Sequence, residues 1–544
     1  MTDVTGRTGE EGAAAKRLLP ISGGSAMLRL LRPIWRRFEA AAHDPEEAQR
    51  KLWAGIAREA EGSPMWGERW GRSGAPPLAE LPVTEYADYA EAFERAFEQG
   101  VAPTAARPVD YWAESSGTTA AKPKRFPLLA GNRQQRLTAF APIGAYLYRL
   151  SLAEPHIPAL PILALANAGS HPPSPAGVPV GYATGYFVAR MPAAARRTMA
   201  IPWEVYQRPD LWDEWAPLYA VAKDLSVAVG LSAGWLAGFY RTLLERMDDY
   251  WPYLAGRAAP PSPLPRVRVR SRRLRRLRQV FRGGAPTIRD VWPRMAVMLC
   301  WTGASAAAQL PLLEPFLGGV RVRDYPYICT EAAITVPLYD DAQGHPLHPG
   351  ATIVELLPEG AEPVAENLLP SWQVESGRDY EVFLTTVNGL IRYRLHDVVR
   401  CDGFFHRSPR LTFRSKSAFL LKVTSTVIPE DDVVRVLRRI GYRGEDDLLL
   451  GPHPSRSAFT MYVREGSAAG TLAGALDDAF REHAPTYEVE RVKGIIGPVE
   501  VVTVPESHPM WDFRTRGQAK SRYVLPTAPR DLEPATHGDG HGRT

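Results

Sequence analysis

The change of hydrophobic periodicity along the chain constrains its fold more than any other feature of the sequence. Apolar residues recur at helical spacing through residues 27–62, 85–99, 131–152 and 212–250, which predicts amphipathic helices. From residue 291 to 423 the pattern changes to short apolar strands separated by Gly, Pro and Asp turns. This order predicts a large α/β domain of mixed sheets and helices.

A second, shorter pattern begins after the sheet-rich region. Residues 429–440 and 471–483 have helical periodicity, whereas residues 457–463 and 489–504 have the pattern of strands. This alternation predicts a compact α+β domain that follows the large one. We therefore expect four segments: a disordered tail at 1–25, an N-terminal domain at 26–414, a C-terminal domain at 415–526 and a disordered tail at 527–544.

The composition excludes several classes of protein. The chain has 544 residues, of which 45% are apolar and 23% charged, so it is neither fibrous nor wholly disordered. The longest apolar run, at 157–166, has about half of the roughly 20 residues that span a membrane, and we expect a buried strand there. The polar N-terminus lacks the pattern of a signal peptide. Three scattered cysteines, Cys300, Cys329 and Cys401, are typical of a reduced, cytoplasmic protein.

An arginine-rich run interrupts this ordinary composition. Nine arginines lie between residues 266 and 282, in the segment RVRVRSRRLRRLRQVFR. A surface for nucleic acid or an acidic membrane is one interpretation. No aromatic platform or zinc spacing accompanies the run, and Leu274, Leu277 and Val280 recur at helical spacing. The simpler interpretation is an amphipathic helix with a solvated arginine face, so we expect neither nucleic acid nor membrane as a partner.

Lysine is scarce, since only nine of the 65 basic residues are lysines. Two of them close the segment ESSGTTAAKPK at 114–124. Hydroxyls around a glycine, followed by lysines, suit a loop that holds phosphate through backbone N–H groups, hydroxyls and a compact positive charge. The order of a Walker A loop is absent, and an ordinary polar turn is the alternative interpretation.

Three further segments contain residues suited to nucleotide chemistry. YICTE at 327–331 follows a strand-like run and places a hydroxyl beside a carboxylate, a pair that suits a phosphate and a magnesium ion. GLIRYRLHDVV at 389–399 is an alternating strand that leads to an acid suited to the two hydroxyls of a ribose. GQAKSRY at 517–523 is a short basic loop. The alternatives are a strand-end turn, an exposed strand whose Arg392 and Arg394 face solvent, and a solvated turn.

In this order, the segments resemble the auxin-responsive acyl acid–amido synthetase family of plants and its bacterial relatives, within the adenylate-forming superfamily. That family has SSGT-x-x-x-KP(K), Y-x-[ST]-[ST]-E, YR-x-GDV, an F-x-x-[RK] hinge and a lysine in a Q-x-K-x-[PR]-like loop. This chain has SSGTTAAKPK, YICTE, YRLHDVV, FRSK and GQAKSR in the same order. The resemblance extends over about residues 30–525.

The resemblance implies a fold and a reaction. The fold is a large N-terminal adenylate-forming domain, with mixed sheets, a β-barrel and helices, followed by a smaller, mobile α+β domain. The reaction is adenylation of a carboxylic acid by ATP with Mg²⁺, and then transfer of the acyl group to an amine or amino acid. The apolar segments 131–152, 164–185 and 301–306 favour an aromatic or alicyclic acid. We expect a monomer or a weak homo-oligomer.

The resemblance also implies residue roles. Thr330 contacts the α-phosphate and Glu331 binds the metal, and with Lys520, which neutralises charge during adenylation, they form the catalytic set. The remaining residues bind the nucleotide: Ser115, Ser116, Thr118, Thr119 and Lys122 hold the phosphates, Gly303 and Tyr327 lie against adenine, Asp397 holds the ribose, and Arg414 contacts ribose or phosphate at the hinge.

Several positions depart from the family's motifs. Cys329 stands where a hydroxyl or glycine is usual, and His396 replaces the glycine before the ribose-binding acid. The glycine–glutamate–lysine cluster that usually follows the hinge is replaced by Thr424-Ser425-Thr426. These changes motivate two alternatives, a ligase that uses another acceptor such as coenzyme A and a non-catalytic nucleotide-binding relative.

Two other kinds of site deserve comparison with this hypothesis. GLSAG at 230–234 matches the nucleophile elbow of serine hydrolases and makes Ser232 a candidate nucleophile. The alternative is a pair of small residues that lets a helix pack closely. His345 and His348 lie three residues apart and each is followed by a proline, which indicates a loop without cysteine partners and not a metal site.

Overall fold

A computed structural model gives the structure of the chain. It describes residues 23–115, 124–153, 161–166, 171–191, 196, 198–339, 344–416, 420–444, 447–514, 522–525, 527–529 and 532. The chain divides into two compact units. The first unit comprises Met1–Gly303 and Leu312–Phe413, and the second comprises Ala304–Pro311 and Arg414–Thr544.

The predicted domain boundary after residue 414 lies one residue from this division. The short segment Ala304–Pro311 belongs to the second unit, which the sequence pattern did not predict. The predicted tails at 1–25 and 527–544 lie largely outside the described residues and stay predictions.

The strands of the first unit form three sheets. In chain order the strands are β1 (Val109–Glu114), β2 (Arg125–Leu129), β3 (Ile162–Ala164), β4 (Val180–Gly181), β5 (Val227–Val229), β6 (Val297–Cys300), β7 (Arg321–Asp324), β8 (His345–Pro346), β9 (Ile353–Pro358), β10 (Leu369–Pro370), β11 (Asp379–Thr385), β12 (Tyr393–Phe405) and β13 (Ser408–Lys416), the last of which continues past the division.

The described residues also form helices in both units. They are α1 (Gly23–His43), α2 (Pro45–Glu61), α3 (Pro64–Trp70), α4 (Ala87–Gln99), α5 (Arg133–Ala153), α6 (Ala183–Arg190), α7 (Trp203–Tyr206), α8 (Pro209–Val221), α9 (Ala233–Glu245), α10 (Met247–Leu254), α11 (Ser271–Phe281), α12 (Ile288–Val291), α13 (Leu310–Leu313), α14 (Glu430–Arg439), α15 (Ala473–His483) and α16 (Pro485–Val492).

A parallel sheet lies in the first unit, with the strand order β3-β5-β6-β7. Strands β3, β5 and β6 are short apolar runs, as is usual for parallel strands that side chains cover, whereas β7 has the sequence RVRD and no buried residue. Trp35 and Phe38 of α1 and Tyr146 of α5 belong to the buried cluster that includes Val297 and Leu299 of β6. Ligands bind to sheets of this kind beyond the carboxyl ends of the strands.

The second sheet of this unit has six strands, in the order β10-β9-β11-β12-β13-β8. The hairpin β1–β2 pairs in antiparallel register, with Glu114 opposite Arg125, and β4 adds to it in parallel. Trp112 and Phe126 of this hairpin pack with Tyr393 of the six-stranded sheet and with Tyr89 of α4. The predicted mixed α/β class is confirmed.

Arg392 corrects the interpretation that this part of the chain is an exposed strand. Its side chain is only 1% exposed and binds Glu355 of β9 in a bidentate pair, at 3.0 and 2.9 Å. The other N–H groups donate to the carbonyl oxygens of residues 79, 81 and 365. Arg394, half-buried, makes a bidentate pair with Glu381, at 2.9 Å for both bonds. The alternation in sequence did not reveal this, because the backbone groups that Arg392 contacts belong to segments distant in the chain.

The second unit has two small sheets. Strands β14 (Leu420–Val423) and β15 (Thr426–Pro429) form a hairpin, while β16 (Leu448–Pro452), β17 (Phe459–Arg464) and β18 (Glu500–Val504) form a sheet in that order. Helices α14 and α15 cover a core that includes Leu437, Phe459 and Phe480.

Two predicted strands differ from the structure. The paired strands predicted at 489–504 are partly wrong, because Val489–Val492 closes the helix α16 and only Glu500–Val504 is a strand. Pro485 begins this helix at a position where proline is favoured. At 157–166 the strand is limited to Ile162–Ala164 within the described residues. Across the described part of the chain, no helix is both long enough and apolar enough to cross a lipid bilayer.

The Arg392–Glu355 pair yields a prediction about stability. The variant Arg392→Met leaves a buried carboxylate without its partner, which costs about 3–5 kcal/mol. We expect a large loss of resistance to urea, measured by tryptophan fluorescence. The double variant Arg392→Met, Glu355→Leu should recover most of it, since both charges are removed.

Arg378→Met is the matched control, because Arg378 and Glu375 form an exposed pair with side chains 66% and 67% accessible. Exposed pairs contribute about 0–1 kcal/mol. A loss in Arg392→Met no larger than that in Arg378→Met would contradict the structural role given to Arg392.

Candidate functional site

The hairpin β1–β2 presents the Ser/Thr/Gly/Lys loop. The N–H of Ser115 donates to the carbonyl oxygen of Lys124 at 2.8 Å, and the N–H of Lys124 donates to Ser115 Oγ at 3.0 Å. These two bonds close the base of the loop, as cross-strand pairs do at the end of an antiparallel ladder. Four of the predicted phosphate-binding residues lie outside the described residues: Ser116, Thr118, Thr119 and Lys122.

Lys124 lies between two aromatic side chains. Its Nζ donates to the hydroxyl of Tyr393 at 3.3 Å and lies 5.3 Å from the centre of the Tyr86 ring. A cation over an aromatic face is held by the ring quadrupole. Lys124 was not among the predicted site residues, although it is one of the nine lysines and belongs to the same KPK segment.

Thr330 and Glu331 lie at the tip of a tight turn. The N–H of Cys329 donates to the carbonyl oxygen of Ala332 at 2.9 Å, and residues 328 and 333 form an antiparallel bridge. Cys329 therefore acts as a turn residue, and its Sγ also donates to the Ala332 carbonyl, at 3.4 Å. Both residues at the tip are half-buried.

Tyr327 and Asp397 are directly bonded. The Tyr327 hydroxyl donates to Asp397 Oδ2 at 2.6 Å, and the Asp397 side chain is fully buried. The Tyr327 ring packs on Phe413, with ring centres 5.7 Å apart. The predicted adenine-side and ribose-side residues are thus brought into contact.

The charge of Glu331 reaches both tyrosines of this region. Burial, and then the charges of Asp397 and Glu331, raise the pKa of Tyr327 well above its usual range. Burial and the charge of Glu331 likewise raise the pKa of Tyr393. Both phenols therefore stay protonated at neutral pH, and the Tyr327 hydroxyl donates to Asp397 while that of Tyr393 accepts from Lys124. The structure thus brings together Ser115, Lys124, Glu331 and the Tyr327–Asp397 pair.

Gly303 lies beyond the carboxyl end of β6, and Tyr327 lies three residues beyond the carboxyl end of β7 in the same parallel sheet. A Cβ added at Gly303 would meet no described atom within 4 Å. The preceding residue is fixed, since the N–H of Thr302 donates to Asp324 Oδ1 at 2.9 Å. Asp324 also accepts from the N–H of Tyr325 at 3.0 Å and lies 3.1 Å from His345 Nε2. Asp324 was not among the predicted site residues. Its position at the carboxyl end of a parallel strand could have identified it, because sites form at those ends.

Arg414 and Lys520 belong to the second unit. Arg414 Nη1 lies 2.6 Å from Asp431 Oδ2, and its Nη2 lies 3.5 Å from Asp432 Oδ1. Its predicted contact with ribose or phosphate stays a prediction. Lys520 lies outside the described residues, but the segment after it is held, since the N–H groups of Tyr523 and Val524 donate to Glu430 Oε1 at 2.7 and 3.3 Å.

The two departures at family glycines have a common backbone conformation. His396 has φ +60° and Thr424 has φ +54°, the left-handed region that glycine adopts without strain. His396 Nδ1 lies 3.4 Å from Glu381 Oε1, and its Nε2 lies 3.7 Å from Glu85 Oε1. Although burial acts in the opposite direction, hydrogen bonds from His396 and Arg394 lower the pKa of Glu381 to about 2.

The Thr424-Ser425-Thr426 segment forms the turn of the hairpin β14–β15. Glu490 of α16 accepts hydrogen bonds from both threonine hydroxyls, at 2.5 and 2.6 Å, and from the N–H of Ser425 at 3.1 Å. Those hydrogen bonds lower the pKa of Glu490. The turn is therefore fixed to a helix of its own unit.

The structure gives other roles to the remaining candidates. Ser232 Oγ accepts from the N–H of Trp235 at 3.2 Å, so Ser232 caps α9. Its φ is −125°, and it does not form the strained turn of a nucleophile elbow.

His345 lies in β8, not in a loop, and pairs with Asp324. Burial lowers the pKa of His348 to about 4. Within the described ranges, no group of three or more His, Cys, Asp or Glu side chains is placed to hold a metal ion.

Comparison with protein families gives two matches. Residues 34–245 match the GH3 family N-terminal domain, and residues 345–416 match the GH3 family central domain. Together the two regions make up about half of the chain. They include the hairpin of Ser115 and the strand of Asp397.

Similar curated proteins come from plants and from humans. A probable indole-3-acetic acid-amido synthetase GH3.9 of rice (Oryza sativa subsp. japonica) is 30% identical over 159 residues, which are 28% of this chain and 36% of that protein. A GH3 domain-containing protein of Homo sapiens is 29% identical over 269 residues, 46% of this chain and 50% of that protein. The chain thus spans about a third to a half of the length of these relatives.

Similar solved structures cover nearly the whole chain. A GH3.15 acyl acid amido synthetase superimposes with a TM-score of 0.71 at 17% identity, covering 91% of this chain and 94% of that one. The same kind of enzyme in complex with 2,4-DB gives a TM-score of 0.67 at 16% identity, covering 94% and 96% of the two chains. At these identities the likeness establishes a shared fold.

Two variants of His396 measure how much the left-handed backbone at this position costs in stability. His396→Gly and His396→Val both remove the contacts with Glu381 and Glu85, but only valine is strained at a positive φ. We expect the valine variant to be less stable than the glycine variant by about 1–2 kcal/mol, seen as a lower midpoint of thermal unfolding. Equal midpoints would show that residue 396 does not require the left-handed conformation.

Proposed function

Because this chain belongs to the GH3 family, we propose that it is an ATP-dependent acyl acid–amido synthetase. The enzyme adenylates a carboxylic acid with release of pyrophosphate and transfers the acyl group to an amine, an amino acid in our proposal. The first residues of the phosphate loop, the Thr330–Glu331 turn and the bonded Tyr327–Asp397 pair meet in one unit, and this observation supports the proposal most.

The reaction needs activation because a free carboxylate has oxide as its leaving group. In the first step a carboxylate oxygen attacks the α-phosphorus of ATP, the bond from that phosphorus to the β-phosphate bridge breaks, and pyrophosphate leaves. In the second step the amine nitrogen attacks the acyl carbon, AMP leaves with the former carboxylate oxygen, and the nitrogen loses a proton. Positioning and charge stabilisation are the main tasks of the protein.

The proposed nucleotide contacts divide between phosphate, ribose and base. Backbone N–H groups and hydroxyls of the hairpin loop bind the phosphates, with the charge of its lysines; these residues are Ser115, Ser116, Thr118, Thr119, Lys122 and, from the structure, Lys124. Asp397 accepts from the ribose hydroxyls. Gly303 offers a surface without a side chain to adenine, and Tyr327 contributes the other side. Thr330 donates to the α-phosphate.

The metal-binding residue fits magnesium. Glu331 is a half-buried carboxylate at a turn tip, and Mg²⁺ in nucleotide sites is held by one or two carboxylates together with phosphates and water. When bound, Mg²⁺ would reduce the repulsion between the phosphates and the incoming carboxylate. Lys520 and Arg414 of the second unit are proposed to neutralise charge that develops at the phosphates.

The proposed setting follows from this chemistry. The substrates are a small carboxylic acid, aromatic or alicyclic in our proposal, and an amine; the reaction itself requires neither nucleic acid nor a membrane. We place the enzyme in the cytoplasm, where ATP is available and where its three free cysteines are stable in the reduced form. We propose a monomer or a weak homo-oligomer.

Pyrophosphate release over a panel of carboxylic acids tests the proposal. We expect release that depends on ATP, Mg²⁺ and one class of acid, and an amide by mass spectrometry when amino acids are added. A thioester formed with coenzyme A would identify a different acceptor. Binding of ATP without acid-dependent release, across a broad panel, would indicate a non-catalytic relative, and reaction of Ser232 with a fluorophosphonate probe would support a hydrolase.

The variant Lys520→Ala should lower the rate of adenylation without weakening the binding of ATP. Loss of a charge that stabilises the transition state lowers the rate by about 10²–10³-fold, while the Kd for ATP should change little. Lys422→Ala is the matched control, since Lys422 is an exposed lysine of the same unit. Equal rates for Lys520→Ala and Lys422→Ala would refute the role of Lys520.

A further inference from the structure

The arginine-rich segment forms an exposed basic surface that the proposed reaction does not use. Eight of its nine arginines are exposed. This group, called the arginine surface below, consists of Arg266, Arg268, Arg270, Arg272, Arg275, Arg276, Arg278 and Arg282. The ninth, Arg273, is buried, which corrects the expectation that the whole set is solvated.

Carboxylates are sparse around the arginine surface. The charge of Arg276 contributes to the lowered pKa of Asp290, behind the hydrogen bonds from Thr287, and Arg276 Nη2 donates to the Asp290 carbonyl oxygen at 3.3 Å. No acidic residue occurs between positions 266 and 282, and no ion pair within 4 Å joins these eight arginines to any described carboxylate.

Four exposed arginines elsewhere, Arg50, Arg95, Arg378 and Arg439, each lie within 3.4 Å of a glutamate oxygen. Arg241 and Arg257 are exposed without a described ion pair, but neither belongs to a run of arginines. The distinguishing feature of the arginine surface is therefore eight exposed arginines within seventeen residues.

The apolar side of the helix is already used. Leu277 of α11 is fully buried, and Leu274 and Val280 are half-buried against the same unit. Arg273 fastens the helix: its guanidinium donates to the carbonyl oxygens of Val221 and Val291 and to Asp224. The segment therefore has no apolar face to insert into a lipid bilayer.

The arginine surface and the candidate site lie at opposite ends of the strands of the parallel sheet. Arg273 contacts Asp224, three residues before β5, and Val291, which precedes β6. These contacts are at the amino ends of the parallel strands. Gly303 and Tyr327 follow the carboxyl ends, at the opposite edge. A substrate of the candidate site therefore does not require the arginine surface.

The spacing of the guanidinium groups is regular. Arg266, Arg268 and Arg270 are exposed at alternate positions, with Val267 and Val269 half-buried between them, which is the pattern of an extended chain with about 6–7 Å between like-facing residues. The remaining arginines recur every three or four residues along α11, at about 5 Å per helical turn. This spacing places several guanidinium groups within about 20 Å of one another, so one stretch of a polyanion can contact several of them at once.

We propose that the arginine surface binds the phosphodiester backbone of nucleic acid without reading its sequence. Guanidinium groups bind phosphate in bidentate fashion, and backbone binding requires charge but no exposed apolar residue. A membrane surface fits less well, since stable attachment takes an apolar anchor besides basic charge. This inference replaces our expectation from sequence that nucleic acid is not a partner, and it is independent of the proposed reaction.

Fluorescence anisotropy with the full chain tests the proposal. The probes are a labelled mixed-sequence DNA duplex of about 20 base pairs and an RNA duplex of the same length, which separate the two sources of the backbone. The variant Arg268→Gln, Arg272→Gln, Arg275→Gln, Arg278→Gln should weaken binding at least about tenfold at low salt. It should also reduce the slope of log K against log salt concentration by up to about 3–4.

The matched control changes the net charge equally and carries Arg50→Gln, Arg95→Gln, Arg378→Gln and Arg439→Gln. We expect it to bind like the parent chain. Equal losses in both variants would attribute binding to net charge alone and overturn the proposal. Binding to vesicles that contain phosphatidylserine, without binding to either duplex, would overturn it in favour of a lipid surface. Binding to neither probe would show that the arginine surface is only solvated.

Discussion

The buried ion pair between Arg392 and Glu355 is the interaction on which the candidate site depends. Arg392 immediately precedes β12, the strand that carries Tyr393 and Asp397, and its five donated hydrogen bonds reach β9 and residues 79, 81 and 365. Because a buried guanidinium is stable only when its donors are satisfied, the start of β12 has one position relative to these segments. That position determines where the Asp397 carboxylate and the Tyr393 phenol lie.

The parallel sheet contributes the other side of the site. There too, one charged side chain joins several segments through hydrogen bonds. Asp324, at the end of β7, accepts from the N–H groups of Thr302 and Tyr325 and lies beside His345 of β8. One carboxylate thus joins the chain after β6, the chain after β7 and a strand of the six-stranded sheet. The site is therefore formed where two sheets of one unit meet, which is where an α/β fold exposes backbone for a ligand.

Periodicity predicted the elements whose apolar pattern and end signals agree. The helix predicted at 429–440 is present as Glu430–Arg439, because its apolar stripe and its acidic first turn agree. Periodicity failed for Arg392, since alternation gives two faces of a strand but not what covers each face. It also missed α16, where the apolar spacing is short and Pro485 is the stronger signal.

The sequence motifs identified most of the described site residues, but not their contacts. Ser115, Tyr327, Glu331 and Asp397 come together, whereas Lys124, Tyr393 and Asp324 became visible only in three dimensions. His396 is an example. The family has glycine at this position, and the positive φ of His396 gives a physical reason for that glycine, which the sequence alone does not show. Motifs report the groups that meet the ligand, while the groups that position them are distributed over distant segments.

The central claim is that a carboxylate oxygen of the substrate attacks the α-phosphorus of ATP. The most direct test uses a carboxylic acid labelled with ¹⁸O in its carboxyl group, unlabelled ATP and an amine acceptor, with mass spectrometry of the nucleotide product. The account predicts AMP that carries one ¹⁸O atom from the acid. Unlabelled AMP, or ADP as the product, would contradict adenylation and with it the function proposed for this chain.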